Sequence, residues 1–343
     1  MFRTGTVTEL LSERKGLQRC SVLIDGAVAR AYCLTDLVGT VSVGDEVVCN
    51  TTAVELGLGT GGWHVVHWNL SRNSLELPGP DHIMKLRYTS LQFDAGTSEL
   101  VHSDLPDHLG GLPVVVCQLH SQMAVVATVL ASMRPDARIV YLMTDGASLP
   151  LAMSDLVADL RSNGTLSATV TAGHAFGGDL EAVSVHSGLA LAAGPAAADV
   201  VIVSMGPGMV GTGTRLGTSA VEAAGLLDTV RALGGRPVFC VRASDADRRE
   251  RHRGVSHHSE TALELTTAVP LVGAHPVGVA EFVDADTPPR AELVEVAVPP
   301  VAEILSASGI RITTMGRDVE QDPLFFETAA VAAVVASGLL DGA

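Results

Sequence analysis

In the first seventy residues apolar positions come in short runs broken by turn residues, and none recurs at the three-to-four spacing of a helix. The runs Gly5 to Leu11, Gln18 to Ile24, Val28 to Leu34, Glu46 to Asn50 and His64 to Leu70 read as strands. Asp25-Gly26 is a two-residue hairpin signal, and Val43-Gly44-Asp45 marks another tight turn. These features predict a small antiparallel β-barrel over residues 1–70. Residues 71–111 are polar and punctuated by Pro78-Gly79-Pro80, Pro106 and Gly110-Gly111, as a connector is.

From Leu112 the pattern changes to β-branched strands that alternate with helical stretches. The strands are Pro113 to Gln118, Arg138 to Met143, Ser167 to Ala172, Asp199 to Ser204 and Arg236 to Val241. Less distinct segments follow: Val277 to Val283, Leu293 to Val298, a helix opening at Pro299-Pro300, a strand Ile310 to Thr314 and a last helix from Pro323 to Ala336. Such alternation predicts a doubly wound, mainly parallel, Rossmann-like α/β domain over residues 112–343.

Composition sharpens this picture. The 343 residues are 47% hydrophobic but only 3% aromatic, so the core is built of Val, Leu, Ile and Ala, as in parallel strands buried on both faces. Thirty-eight acids against 22 Lys plus Arg give a net charge of −16, which repels nucleic acid and anionic membrane. The five cysteines are odd in number and widely spaced, with no CxxC, which argues against a disulfide framework or a thiolate metal site. With no signal-like or membrane-spanning stretch, the expected location is the cytoplasm.

Four segments look familiar together: Asn50 to Gly62 (NTTAVELGLGTGG), His82 to Tyr88 (HIMKLRY), Gly173 to Asp179 (GHAFGGD) and Gly254 to Ser259 (GVSHHS). They resemble a bacterial family of about this length known only as a domain of unknown function. The resemblance spans the whole chain and implies no activity, cofactor or catalytic residue.

Ligands of open parallel sheets bind beyond the carboxyl ends of the strands. Here those ends carry His120, then Asp145, then His174 with Asp179, then Gly206 and Gly208, then Arg242. Asp179 and the following Glu181 also suit a helix start. Gly206 to Gly211 fits GxGxxG, but Pro207 stiffens it and the helix opens only near Thr218. The next strand-end acid, Asp245, also lies well past the roughly 20 residues of a dinucleotide site. The stretch reads better as an anion cradle built from Gly206, Gly208, Gly211, Thr212, Gly213, Arg215 and Thr218.

Arg242 to Glu260 (RASDADRRERHRGVSHHSE) concentrates five arginines and ends on His257 and His258 at a helix start, a setting for acid/base chemistry on an anion held by arginine. It is expected to fold over the same cleft. No metal or cofactor is assigned; adjacent histidines on a regular helix chelate one ion poorly. The reading is an enzyme, a hydrolase or group transferase, acting on a small anionic ligand through His120, Asp145, His174 and His257. The alternative is a metabolite-binding or scaffold protein without turnover. Self-association is left open.

Overall fold

The turn-bounded runs form five strands in the computed structural model, which describes residues 1–58, 61–275 and 290–342. These are β1 (Phe2–Arg14), β2 (Leu17–Ile24), β3 (Ala27–Cys33), β4 (Glu46–Asn50) and β5 (Trp63–Asn69), with the single turns α1 (Thr35–Val38) and α2 (Thr52–Glu55) between them, closed into a barrel in the order β1-β2-β3-β5-β4. Alternation places Cys20, Val22 and Ile24 of β2, Ala31 and Cys33 of β3, and Val47 and Cys49 of β4 in its core. Asp25 and Gly26 both take positive φ, 49° and 80°, as a tight hairpin turn requires. The barrel is not wholly antiparallel: β3 and β5 pair in parallel, with Ala31 opposite His64. A closed ring of five strands cannot alternate direction all the way round, so one parallel pair is unavoidable.

The chain divides into two compact units, Met1–Gly96 and Thr97–Ala343. After the barrel, the first unit holds a short hairpin of β6 (Met84–Lys85) and β7 (Phe93–Asp94). The second is built on a parallel sheet of β8 (Pro113–Cys117), β9 (Ile139–Thr144), β10 (Ala168–Ala172), β11 (Leu180–Ala182), β12 (Val200–Met205), β13 (Arg236–Cys240), β16 (Leu271–Ala274) and β17 (Glu292–Glu295). Their order is β11-β10-β9-β12-β8-β13-β16-β17. A separate hairpin of β14 (Ala243–Ser244) and β15 (Gly254–Val255) follows β13.

The apolar runs of the central strands have no polar face because both faces are covered. Val115, Cys117, Tyr141, Met143, Ile202 and Cys240 face a layer containing α3 (His120–Met133), α4 (Asp155–Ser162), α8 (Val301–Ser308) and α9 (Pro323–Leu339). Their neighbours Val114, Val116, Val140, Leu142, Val203 and Phe239 face α5 (Val185–Ala193), α6 (Glu222–Ala232) and α7 (His257–Leu265). Helices after β8 and β9 thus lie on one face and the helix after β12, which runs between them, on the other. In open parallel sheets, such a reversal marks where ligands bind at the carboxyl edge. Among the described residues, no helix is long and apolar enough to cross a membrane.

Two expected elements differ. Asp179 does not cap a helix; it leads into edge strand β11, and its carboxylate accepts from the Thr169 amide (2.9 Å) and hydroxyl (3.0 Å). Glu181, on β11, accepts from the Thr171 hydroxyl and the Gly177 amide, both at 2.7 Å, so these acids lock a tight loop between two parallel strands. Ile310 to Thr314 is not a strand of the sheet; Ile310 and Ile312 are apolar anchors in the layer of α8 and α9, and Thr314 only bridges to Arg317. The expected strand Val277 to Val283 lies outside the described residues.

Candidate functional site

At the ends of β9, β10 and β12 the close approach of backbone to carboxylate explains the glycines. The Asp145 carboxylate accepts the His174 amide at 2.9 Å. Gly173 sits beside it at φ 66°, where an added Cβ would lie 2.3 Å from Asp145 Oδ2, so no side chain fits. Gly146 in turn faces Glu222, in the first turn of α6; a Cβ there would lie 1.9 Å from Glu222 Oε2. Burial, with the charge of Asp145 adding to it, raises the Glu222 carboxyl above its ordinary range. Sequence reasoning missed Glu222, because an acid in a first helical turn reads as a response to the helix dipole.

His120 and Gly206 lie deeper. His120 opens α3 and is 9% exposed; its Nε2 is 2.6 Å from Ser154 Oγ and its Nδ1 is 3.2 Å from the Tyr141 hydroxyl. That hydroxyl also reaches the Ser204 and Met205 carbonyls, each at 3.2 Å. Burial depresses the imidazole to about 4, leaving it neutral near pH 7. Gly206 is covered by the loop after β9: the Ser148 amide donates to the Pro207 carbonyl at 3.0 Å, and an added Cβ would lie 2.6 Å from the Ser148 carbonyl. Asp145 and His174 are therefore in contact, whereas His120 is turned into the interior layer.

The glycine/threonine loop after β12 is folded on itself. The Thr212 amide donates to the Gly217 carbonyl (2.7 Å), Thr218 to Leu216 (2.9 Å) and Ser219 to Val210 (3.0 Å). Thr218 Oγ1 accepts from the Ala220 amide at 3.3 Å, capping the turn that leads into α6. Gly208 is exposed at φ 101°. Arg215 ion-pairs with Glu264 of α7. Gly211 bridges to Thr218, and Gly213 approaches the Arg251 guanidinium, its Cβ position lying 3.6 Å from Cζ. Thus the loop meets the arginine-rich segment.

That segment holds the most concentrated chemistry. Two residues beyond β13 stands Arg242, which is 3% exposed; its Nη1 donates to His258 Nδ1 at 3.2 Å, and its Nη2 lies 3.5 Å from Asp247. Asp247 is already held by Arg249 through Nε (2.9 Å) and Nη2 (2.7 Å), which keeps its carboxyl well below the ordinary range. From the start of α9, Asp322 accepts from Ser244 (2.8 Å) and pairs with Arg317 (3.0 Å), whose guanidinium also stands 3.9 Å from Asp247. Three guanidiniums face two carboxylates here, so positive charge is in excess within a chain of net −16.

His252 and His258 are buried and His257 half-buried, with ring centroids 4.2 to 5.0 Å apart. Burial, reinforced by Arg242, pushes His252 and His258 down to about 3; burial and Arg251 lower His257. All three are neutral near pH 7. Ser256 caps α7, accepting from the His258 amide, and its Oγ is 2.7 Å from His252 Nδ1. One nitrogen from each ring lies within 4.8 Å of the other two, so the trio can hold a metal ion.

Two glutamines brace this edge. Gln118 Nε2 donates to the His258 carbonyl (3.0 Å) and the Gln118 Oε1 accepts from Ser259 (2.7 Å), while Gln122 Nε2 donates to the Val241 carbonyl (3.0 Å). The Ser259 hydroxyl oxygen accepts the Arg242 amide at 2.8 Å. These bonds fix the start of α7 to the ends of β8 and β13.

Fold and edge together define a two-unit protein: a closed five-stranded barrel, and a parallel α/β unit whose strand ends carry buried charge and neutral histidines. Residues 30–333 match the family of proteins of unknown function designated DUF3866, and the chain belongs to it. No curated protein and no solved structure matches the chain.

Proposed function

We propose that this protein is an enzyme that binds a small anionic metabolite at the carboxyl edge of its parallel sheet and transforms it by hydrolysis or group transfer. One observation carries the reading. Arg242 is buried, yet its nearest carboxylate, Asp247 at 3.5 Å, is engaged at 2.7 to 2.9 Å by Arg249. A buried guanidinium with an incomplete ion pair supports recognition of a further anion. Arg242 and Arg251 would hold that charge, and the half-buried, neutral His257 is the group suited to accept a proton from an attacking hydroxyl or water. Asp145, after β9, and Glu222, in the first turn of α6, would add carboxylates farther along the same edge.

The test is calorimetric titration with inorganic phosphate, pyrophosphate and citrate, together with turnover of p-nitrophenyl phosphate. Arg242→Met keeps the apolar stem and removes the charge; Arg251→Met does the same at an exposed position that folding tolerates. Each is expected to weaken binding by about tenfold, the lower end for a hydrogen bond to a charged group. Equal affinity in wild type and both variants, or binding of none of the probes, overturns the reading.

A further inference from the structure

We propose that His252, His257 and His258 form a binding site for one divalent transition-metal ion of the zinc class. The inference goes beyond the anion reading and does not require it; with metal bound, the single lone pair of His257 is taken, so its proton-accepting role belongs to the metal-free protein. Three nitrogens, one per ring, already lie within 4.8 Å of one another. They come from two segments: His252 ends the 3-10 turn Glu250–His252, and the other two open α7. A regular helix directs two adjacent side chains apart, yet the rings of His257 and His258, the first two residues of α7, stand with centroids 4.2 Å apart. A third ligand arriving from another turn completes the set.

The hydrogen bonds show which lone pairs a metal can use. A guanidinium only donates, so His258 Nδ1, which receives Arg242 at 3.2 Å, carries a lone pair and the ring proton sits on Nε2. His252 Nδ1 is held by Ser256 at 2.7 Å; with its proton given to that hydroxyl, Nε2 is left basic, the usual second-sphere arrangement of a metal-binding histidine. His257 Nε2 is a buried atom with no hydrogen-bond partner among the described residues, which costs free energy unless a ligand engages it. Three neutral imidazoles without a carboxylate select zinc, cobalt or nickel over magnesium or calcium. Three protein ligands leave a fourth position open, as in catalytic rather than structural sites.

Arg242 sets the terms of binding, because its Nη1–H occupies the lone pair that the metal would take at His258 Nδ1. Metal entry replaces that hydrogen bond and frees the guanidinium for Asp247, 3.5 Å away. Arginine and metal therefore compete. Removing Arg242 should tighten metal binding while it weakens anion binding.

The experiment uses the full chain, stripped with chelator, dialysed and titrated with zinc against a competing chromophore, with cobalt absorption as the report of coordination geometry. Wild type is expected to bind one zinc per chain and to give the intense visible cobalt bands of a tetrahedral site. His257→Gln, at the half-buried position, and His258→Gln are each expected to weaken binding by at least about 100-fold, no less than loss of an outer-sphere partner does. Arg242→Met is expected to tighten it by about tenfold, the scale on which a partner of a ligating histidine acts. Unchanged zinc affinity in both histidine variants, absence of binding at micromolar zinc, or weaker binding in Arg242→Met would refute the site. Phosphate affinity of the metal-free protein is measured separately, so loss of anion binding with zinc binding intact counts against the proposed function alone.

Discussion

Acidification should destabilise the α/β unit through His120 by an amount that follows from its surroundings. Burial holds this imidazole at about 4 against an ordinary value of 6.5. Above pH 6.5 it is neutral in both the folded and unfolded chain and contributes no slope. As pH falls below 6.5 the unfolded chain takes up the proton first, and stability declines until about pH 4, where the folded form protonates too. At 1.36 kcal/mol for each unit between the two values, neutral His120 accounts for about 3 kcal/mol lost across that window. His252 and His258, pushed to about 3, act in the same direction, so the wild-type curve alone cannot apportion the loss. His120→Gln isolates it, since a carboxamide can still meet Ser154 and Tyr141 but does not titrate. Urea unfolding followed by circular dichroism between pH 7.5 and 4 should give a shallower acid decline in the variant, by roughly 3 kcal/mol at the acid end. Parallel stability curves for the two proteins would sink the assignment of His120 as a buried neutral base.

Gly173→Ala forces a Cβ to 2.3 Å from Asp145 Oδ2 at φ 66° and should cost roughly 2 kcal/mol by thermal melting. Gly225, exposed in α6 with nothing within 4 Å of its Cβ position, is the opposite case: Gly225→Ala should stabilise by about 0.5–1 kcal/mol, and a loss instead would contradict the helix geometry. The barrel thiols Cys20, Cys33 and Cys49 are pushed by burial to about 11, 12 and 12. Ellman's reagent at pH 8 should therefore leave them untouched in the native protein and label all five cysteines in denaturant; rapid native labelling would show the barrel to be open.

The barrel and the parallel sheet were legible because burial writes itself into sequence as a period: two in the strands around Cys20, Val22 and Ile24, and an unbroken apolar run in Val200 to Val203. Asp25-Gly26 was equally legible, since its backbone conformation demands such residues. The parallel β3–β5 pair was not, because it closes at a distance and needs no turn residue of its own. Edge strand β11 was masked by chemistry that serves two ends: Asp179 and Glu181 suit a helix start, and here satisfy loop amides and threonine hydroxyls instead. At the strand ends, the contact of Asp145 with His174 follows from adjacent parallel strands. What brings His252 to His257 and His258 is the β14–β15 hairpin, and two-residue strands leave no periodic trace.

Gln118 and Gln122 give this edge a mechanical character. Their carboxamides cross-brace two strand ends and a helix start from within the protein, so the ground on which the proposed ligand would land is already set. Little chain entropy is then left to lose on binding, and association should register as a small heat-capacity change rather than the large one that accompanies a folding loop. The Gln118 and Arg242 amides, buried and bonded at the very rim where chemistry is expected, should be among the last to exchange with deuterated solvent, opening only when the whole sheet does.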